Sequence, residues 1–135
     1  MKVIYALLGI ILLATSAQAD GYGFRTPSGN IYCNGSLEGG DISCTIAERS
    51  SGPVLPRPGW CNGYWGHTFT LNRYGPVQME CSQAAPRKSS YTDVAPYGET
   101  GHFAEITCQS ERSGLTCRNA EGHGFMLSRR VQQIF

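Results

Sequence analysis

The amino-acid sequence predicts a small all-β or β-rich domain of three antiparallel hairpins, cross-linked by disulfides, with a short C-terminal helical turn. Three observations lead there. Six cysteines stand in a chain of 135 residues that carries an export-type leader, the setting in which cysteines pair as disulfides. Short apolar stretches alternate with a period of two and are separated by Gly, Ser, Asn and Pro, which is the pattern of strands and turns. Beyond residue 19, Leu, Ile, Val and Phe fall below the roughly 20% at which disorder becomes expected. Disorder also needs a high net charge, which is missing, so cross-links are the expected source of order.

Met1-Lys2 gives a positive start, Val3 to Ala14 an apolar run, and Ala17-Gln18-Ala19 small residues at −3 and −1. This is a secretory leader, 1–19, leaving a disulfide-linked β domain at 20–135. A membrane anchor is the competing reading. Twelve residues at ~1.5 Å each span about 18 Å, short of a ~30 Å hydrocarbon core. The expected address is therefore periplasmic or secreted, with no membrane span after cleavage.

The elements follow in order. Asp20 to Gly23 reads as a loose start, and Phe24 to Ile31 as a turn built on Pro27 and Gly29. Ile31–Cys33 and Ile42–Ile46 are strands of a first hairpin around Gly35–Asp41. Ser50 to Gly59 holds three prolines and is an irregular crossing. His67–Leu71 and Val77–Cys81 alternate apolar and polar about Asn72–Pro76, giving a second hairpin. Ala84 to Gly101 is a long polar loop. Ile106–Cys108 and Leu115–Cys117 form a third hairpin. Phe125 and Leu127 continue as a strand, after which Leu127, Val131, Ile134 and Phe135 fit a helical face that Ser128 would cap.

There is an internal echo: Ile31-x-Cys33 with Ile42-x-Cys44, and Ile106-x-Cys108 with Leu115-x-Cys117. Period two puts each Ile or Leu on the same face as its Cys. If Cys33 faces Cys44, Ile31 faces Ile46, as a buried face requires. A non-hydrogen-bonded pair has Cα atoms ~4.5 Å apart, within reach of a disulfide. Cys33–Cys44 and Cys108–Cys117 follow, and Cys61–Cys81 follows by elimination. Pairing Leu71 with Val77 would place His67, not Cys61, opposite Cys81. Zinc-ribbon spacing is missing, since no C-x-x-C occurs.

The segments Phe24-x-Thr-Pro-Ser-Gly-Asn-Ile-x-Cys33, Ile42-x-Cys44, Trp65-Gly66, Pro96-Tyr-Gly98, Gly114-Leu-Thr-Cys117 and Gly122-His-Gly-Phe-x-Leu-Ser-Arg129 resemble a domain-of-unknown-function family of small exported bacterial proteins. The resemblance spans nearly all of the chain beyond the leader and departs mainly at Ser82–Val94 and after Arg129. It implies export, disulfides and one compact domain, and it carries over no catalytic residue.

The sequence favours a non-catalytic extracytoplasmic binding module, with a protein or glycan as partner and no cofactor. Lys2 leaves with the leader, so acidic and basic residues balance, and no basic run exists to neutralise nucleic-acid phosphates. His67, His102 and His123 lie in separate segments without metal-ligand spacing. Between Gly122 and Gly124, His123 is the one histidine placed for close approach, although a bulge or turn feeding Phe125 into the core is the better account of those glycines. The densest binding-type feature is Trp60-Cys-Asn62-Gly-Tyr64-Trp65. Trp60, after Pro58-Gly59, should be exposed; Trp65 should fill the core. Trp60, Asn62, Tyr64 and His123 are thus the candidate binding surface. Arginines show no cluster. The alternative is a small secreted hydrolase, or a protein inhibitor of one. Ser28, His123 and Asp93 supply triad residue types, yet no G-x-S-x-G elbow occurs.

Overall fold

The computed structural model describes residues 21–135; the leader predicted at 1–19 lies outside them. Ten strands make two sheets, and no helix occurs among the described residues. The first sheet is β1 (Gly21–Arg25), β2 (Ile31–Ser36), β3 (Asp41–Ile46), β4 (Tyr64–Asn72) and β5 (Gln78–Ser82). The second is β6 (Thr100–Phe103), β7 (Ile106–Glu111), β8 (Gly114–Arg118), β9 (Gly124–Leu127) and β10 (Gln132–Ile134). Each is an antiparallel meander in which neighbours in sequence are neighbours in the sheet. Their apolar faces meet in one core, where the Phe69 and Phe125 rings lie 5.8 Å apart.

The fold class is all-β, as the residue pattern requires, and the three hairpins are present as β2–β3, β4–β5 and β7–β8. Three segments correct the sequence reading. The start is no loose end: Gly21–Arg25 pairs along β2 with Phe24 opposite Cys33. The long loop ends early, because Thr100–Phe103 pairs with β7. The C-terminal helical turn is absent, and Gln132–Ile134 is an edge strand with Ile134 opposite Phe125. Ser128 does bond as a cap would, accepting from the Val131 amide at 3.1 Å. It closes a turn instead, since extending the chain along β9 satisfies more backbone groups than one isolated helical turn could.

Cys33 and Cys44 are register partners, as are Cys108 and Cys117, with Cα atoms 4.1 Å apart in both pairs. Ile31 faces Ile46. Cys61–Cys81 closes the set, and no cysteine is free. The Leu71–Val77 register holds from Thr70 to Thr68, then breaks at a bulge between Thr68 and Tyr64. Gly66, at φ +85°, sits in that bulge. The register change carries the chain away from the His67–Cys81 pairing and lets Cys61 approach Cys81 from beyond the strand end.

The echo of cysteines is part of a longer repeat. Across the first sheet run Phe24, Cys33, Cys44, Phe69 and Met79, each opposite the next. Across the second run Gly101, Cys108, Cys117, Phe125 and Ile134. One rung along, Ile42 faces Leu71 as Leu115 faces Leu127. Gly66-His-Thr-Phe-Thr-Leu71 and Gly122-His-Gly-Phe-Met-Leu127 share the pattern G-H-x-F-x-L. Gly66 and Gly122 adopt φ +85° and +83°, a region that favours glycine. The domain is two copies of one ladder, stacked face to face.

Candidate functional site

The crossing between β3 and β4 carries the exposed aromatics. Three prolines keep this stretch out of a sheet, because each lacks an amide for the ladder. The Cys61 amide donates to the Pro58 carbonyl at 3.1 Å, closing a tight turn, and the Cys61–Cys81 bridge fastens that turn to β5. Arg57 Nε donates to the Cys61 carbonyl at 2.7 Å. Trp60 cannot reach the core from here and is 70% exposed.

Its ring meets Trp65 edge-on, with centroids 6.1 Å apart and planes at 84°. Trp65 donates Nε1–H to the Leu55 carbonyl at 2.9 Å, while its own carbonyl accepts from Arg49 Nη2 at 3.1 Å. Arg49 packs over the Gly66 bulge, where a Cβ would lie 2.7 Å from Nη1. Burial lowers the Arg49 pKa. Burial likewise holds His67 below its ordinary 6.5, with the Arg49 charge adding to the effect against the hydrogen bond to the Ile46 carbonyl. That bond is 2.8 Å from Nδ1. Leu55 and Tyr64 are exposed, as is Asn62. The outcome is an exposed indole braced edge-on against a second indole, with Asn62 two residues along the chain. Such a surface stacks on a sugar ring or an apolar side chain.

Trp65 is half-buried and lies outside the core cluster, contrary to the expectation that it would fill the core. The core is filled by the two phenylalanines of the repeat instead, and Trp65 serves as the support for Trp60. His123 belongs elsewhere. Its amide and carbonyl both bond Asn119, at 3.1 and 2.8 Å, and Asn119 Nδ2 donates to the carbonyls of Asn72, the last residue of β4, and of Gly75 in the turn that follows. Trp60 precedes the start of β4. Eight strand steps at ~3.3 Å separate the two ends, on the order of 25 Å. The structure therefore joins Trp60, Asn62 and Tyr64 along one segment and leaves His123 apart. His102 is on β6, with Nδ1 3.4 Å from Thr107 Oγ1.

The sequence reading missed an arginine cluster. Arg112 on the β7–β8 turn and Arg129 and Arg130 on the β9–β10 turn line one open cleft with Ser128. Arg112 covers the Tyr97 ring at 5.2 Å, and Arg129 lies 3.6 Å from Glu48. An adjoining cleft of about 230 Å³ includes Thr26, Ser28, Asn30, Tyr97 and Gly114 in its lining. Thr26, Ser28 and Asn30, Tyr97, and Gly114 come from three of the segments that carried the resemblance, which the fold brings to one place.

The family described as "Family of unknown function (DUF6636)" matches residues 5–135. No curated protein and no solved structure matches the chain.

Proposed function

The chain belongs to that family of unknown function, and from its own geometry we propose that it is a non-catalytic binding module acting outside the cytoplasm, with Trp60 as its central contact. The observation that carries this reading is an indole 70% exposed on a turn fixed by the Cys61–Cys81 bridge. Exposed, rigidly held tryptophans are the residues on which binding energy concentrates. Three disulfides in one small domain support an oxidising compartment, periplasm or exterior, reached through cleavage of residues 1–19. The partner is an extracytoplasmic protein or a glycan. The neutral balance of charge speaks against nucleic acid.

The test immobilises the exported protein and probes it with soluble cell-wall glycan fragments and with envelope proteins. Trp60→Ala should weaken capture by ~1–3 kcal/mol while the melting temperature moves by less than about 4 °C. Equal capture by the variant removes Trp60 from the site, and unfolding of the variant makes Trp60 structural. Hydrolysis of a cell-wall or peptide substrate that His123→Ala abolishes overturns the binding-module reading in favour of a hydrolase.

A further inference from the structure

The repeat is broken at one rung, and the break leaves a cavity. Opposite Cys33 the first sheet places Phe24; opposite Cys108 the second places Gly101. Register partners share a face, so a side chain at Gly101 would point where Cys108 points, toward the core. A Cβ there would meet a single atom within 4 Å, Phe103 Cε2 at 4.0 Å. Phe103 cannot fill the gap, because its ring leans on Gly35 of the other sheet. Beside Gly101 lies a cavity of about 110 Å³ between the edge strands β1 and β6.

Its walls have a definite chemistry. Tyr22, Phe24 and Phe103 line it, with ring centroids 5.9, 5.9 and 6.4 Å apart. Glu99 is the one charged residue in the lining, and no lysine, arginine or histidine is there. Burial raises the Tyr22 pKa, and the nearby Asp93 carboxylate adds to the effect, placing a second negative charge close to the cavity. The wall at residues 94–99 is fixed to β7: the Ser110 amide donates to the Glu99 carbonyl at 2.9 Å, and Ser110 Oγ to the Ala95 carbonyl at 3.1 Å. Aromatic faces attract a desolvated cation, and a carboxylate at the mouth balances its charge. A cavity of roughly 150 Å³ accepts benzene, so this one, open to solvent at Gly101, has room for a head group of about four heavy atoms while the rest of its ligand stays outside.

We propose that the cavity beside Gly101 is a binding site for a small alkylammonium group, held against Tyr22, Phe24 and Phe103 and paired with Glu99. The site is independent of the Trp60 surface. It is built by the absence of a side chain at one position of the repeat, and that position is open to solvent.

Choline chloride titrated into isotopically labelled protein, followed by amide chemical shifts, tests this. Shifts should concentrate at Tyr22, Glu99, Gly101 and Phe103. The neutral isostere 3,3-dimethyl-1-butanol should bind at least tenfold more weakly. Glu99→Gln, an exposed change, should weaken choline at least threefold with the spectrum otherwise intact. Gly101→Leu should fill the cavity, abolish the shifts and leave the melting temperature unchanged or raised. Equal binding of the neutral isostere, unaltered binding to Glu99→Gln, or no choline-dependent shift at these four residues overturns the proposal. Failure here leaves the Trp60 reading untouched, because the cavity shares no residue with that surface and shifts at Trp60 are read separately from those at these four.

Discussion

Replacing Gly124 with alanine, and Gly122 in parallel, measures what the glycines around His123 are for. A Cβ at Gly124 would run into the Cys117 carbonyl oxygen and lie 2.8 Å from Phe135 Cε2. The Phe135 ring, exposed at the chain's last residue, can turn aside, but the Cys117 carbonyl is backbone and cannot yield cheaply. The Cys117 carbonyl belongs to β8, and Gly124 exchanges two backbone bonds with Phe135, at 2.9 and 3.0 Å. Overpacking costs about 1–3 kcal/mol, and losing two ladder bonds adds about 1 kcal/mol each. The lower entropy of the unfolded alanine chain returns up to about 1 kcal/mol. The net loss is about 2–4 kcal/mol, or roughly 8–16 °C at about 4 °C per kcal/mol. At Gly122 nothing lies within 4 Å, and only φ +83° opposes a side chain. That costs ~1–2 kcal/mol, partly offset by the same entropy gain, so about 1 kcal/mol remains. Urea denaturation of both variants under oxidising conditions should rank Gly124→Ala far below Gly122→Ala. If the order reverses, or Gly124→Ala melts within 4 °C of the parent, the close approach of β8 and β9 is not what requires glycine.

Further outcomes follow from the same geometry. Replacing Cys61 and Cys81 together by alanine opens a cross-link spanning 20 residues, worth about 3 kcal/mol in the chain-entropy treatment; circular dichroism should still show a folded sheet, because the other two bridges remain in the core. Asn119→Ala should cost ~2–4 kcal/mol in the same denaturation assay, since a residue 6% exposed holds the Asn72 and Gly75 carbonyls and the Glu121 and His123 amides. Asn119→Asp, which keeps only the acceptor role, should fall between. His67 is held below 6.5, so the unfolded chain takes up its proton first as pH falls. Its contribution is complete above about pH 6.5 and is lost as pH drops through the lower folded value. His67→Asn, which keeps a donor toward Ile46, should flatten the stability difference between pH 8 and pH 5; an unchanged slope assigns it to another group.

The segments legible in the sequence were those with two signals at once. Ile31-x-Cys33, Ile42-x-Cys44, Ile106-x-Cys108 and Leu115-x-Cys117 carry both alternation and a cross-link, and their pairing follows from register alone. The strands passed over are edges. Gly21–Arg25, Thr100–Phe103 and Gln132–Ile134 each have one strand neighbour in their sheet, so little in their composition marks burial. A domain poor in aliphatics leads one to expect Trp65 in the core, whereas Phe69 and Phe125, equivalent in the repeat, occupy it. The G-H-x-F-x-L repeat was present in the letters, yet its two copies lie in hairpins of different length and only the common register aligns them. Arg112, Arg129 and Arg130 share no sequence neighbourhood; two turns of one meander bring them together. Trp60 was readable because Pro58-Gly59 sets a turn whatever surrounds it.

The two halves of the repeat are joined by a single connection, residues 83–99, tethered to β1 through the Arg25–Val94 bridge and the bonds of Arg25 to Asp93 and Ala95. Every other strand neighbour lies within its own meander. The face shared by the sheets therefore knows nothing of which chain supplies each half. Where the tether lets go at high concentration, the first sheet of one molecule can close on the second sheet of another with the same rungs in contact. Exchange of this kind yields a dimer at almost no cost in interface, and the bonds of the connection to Arg25 on one sheet and to Ser110 on the other are what keep each molecule closed on itself.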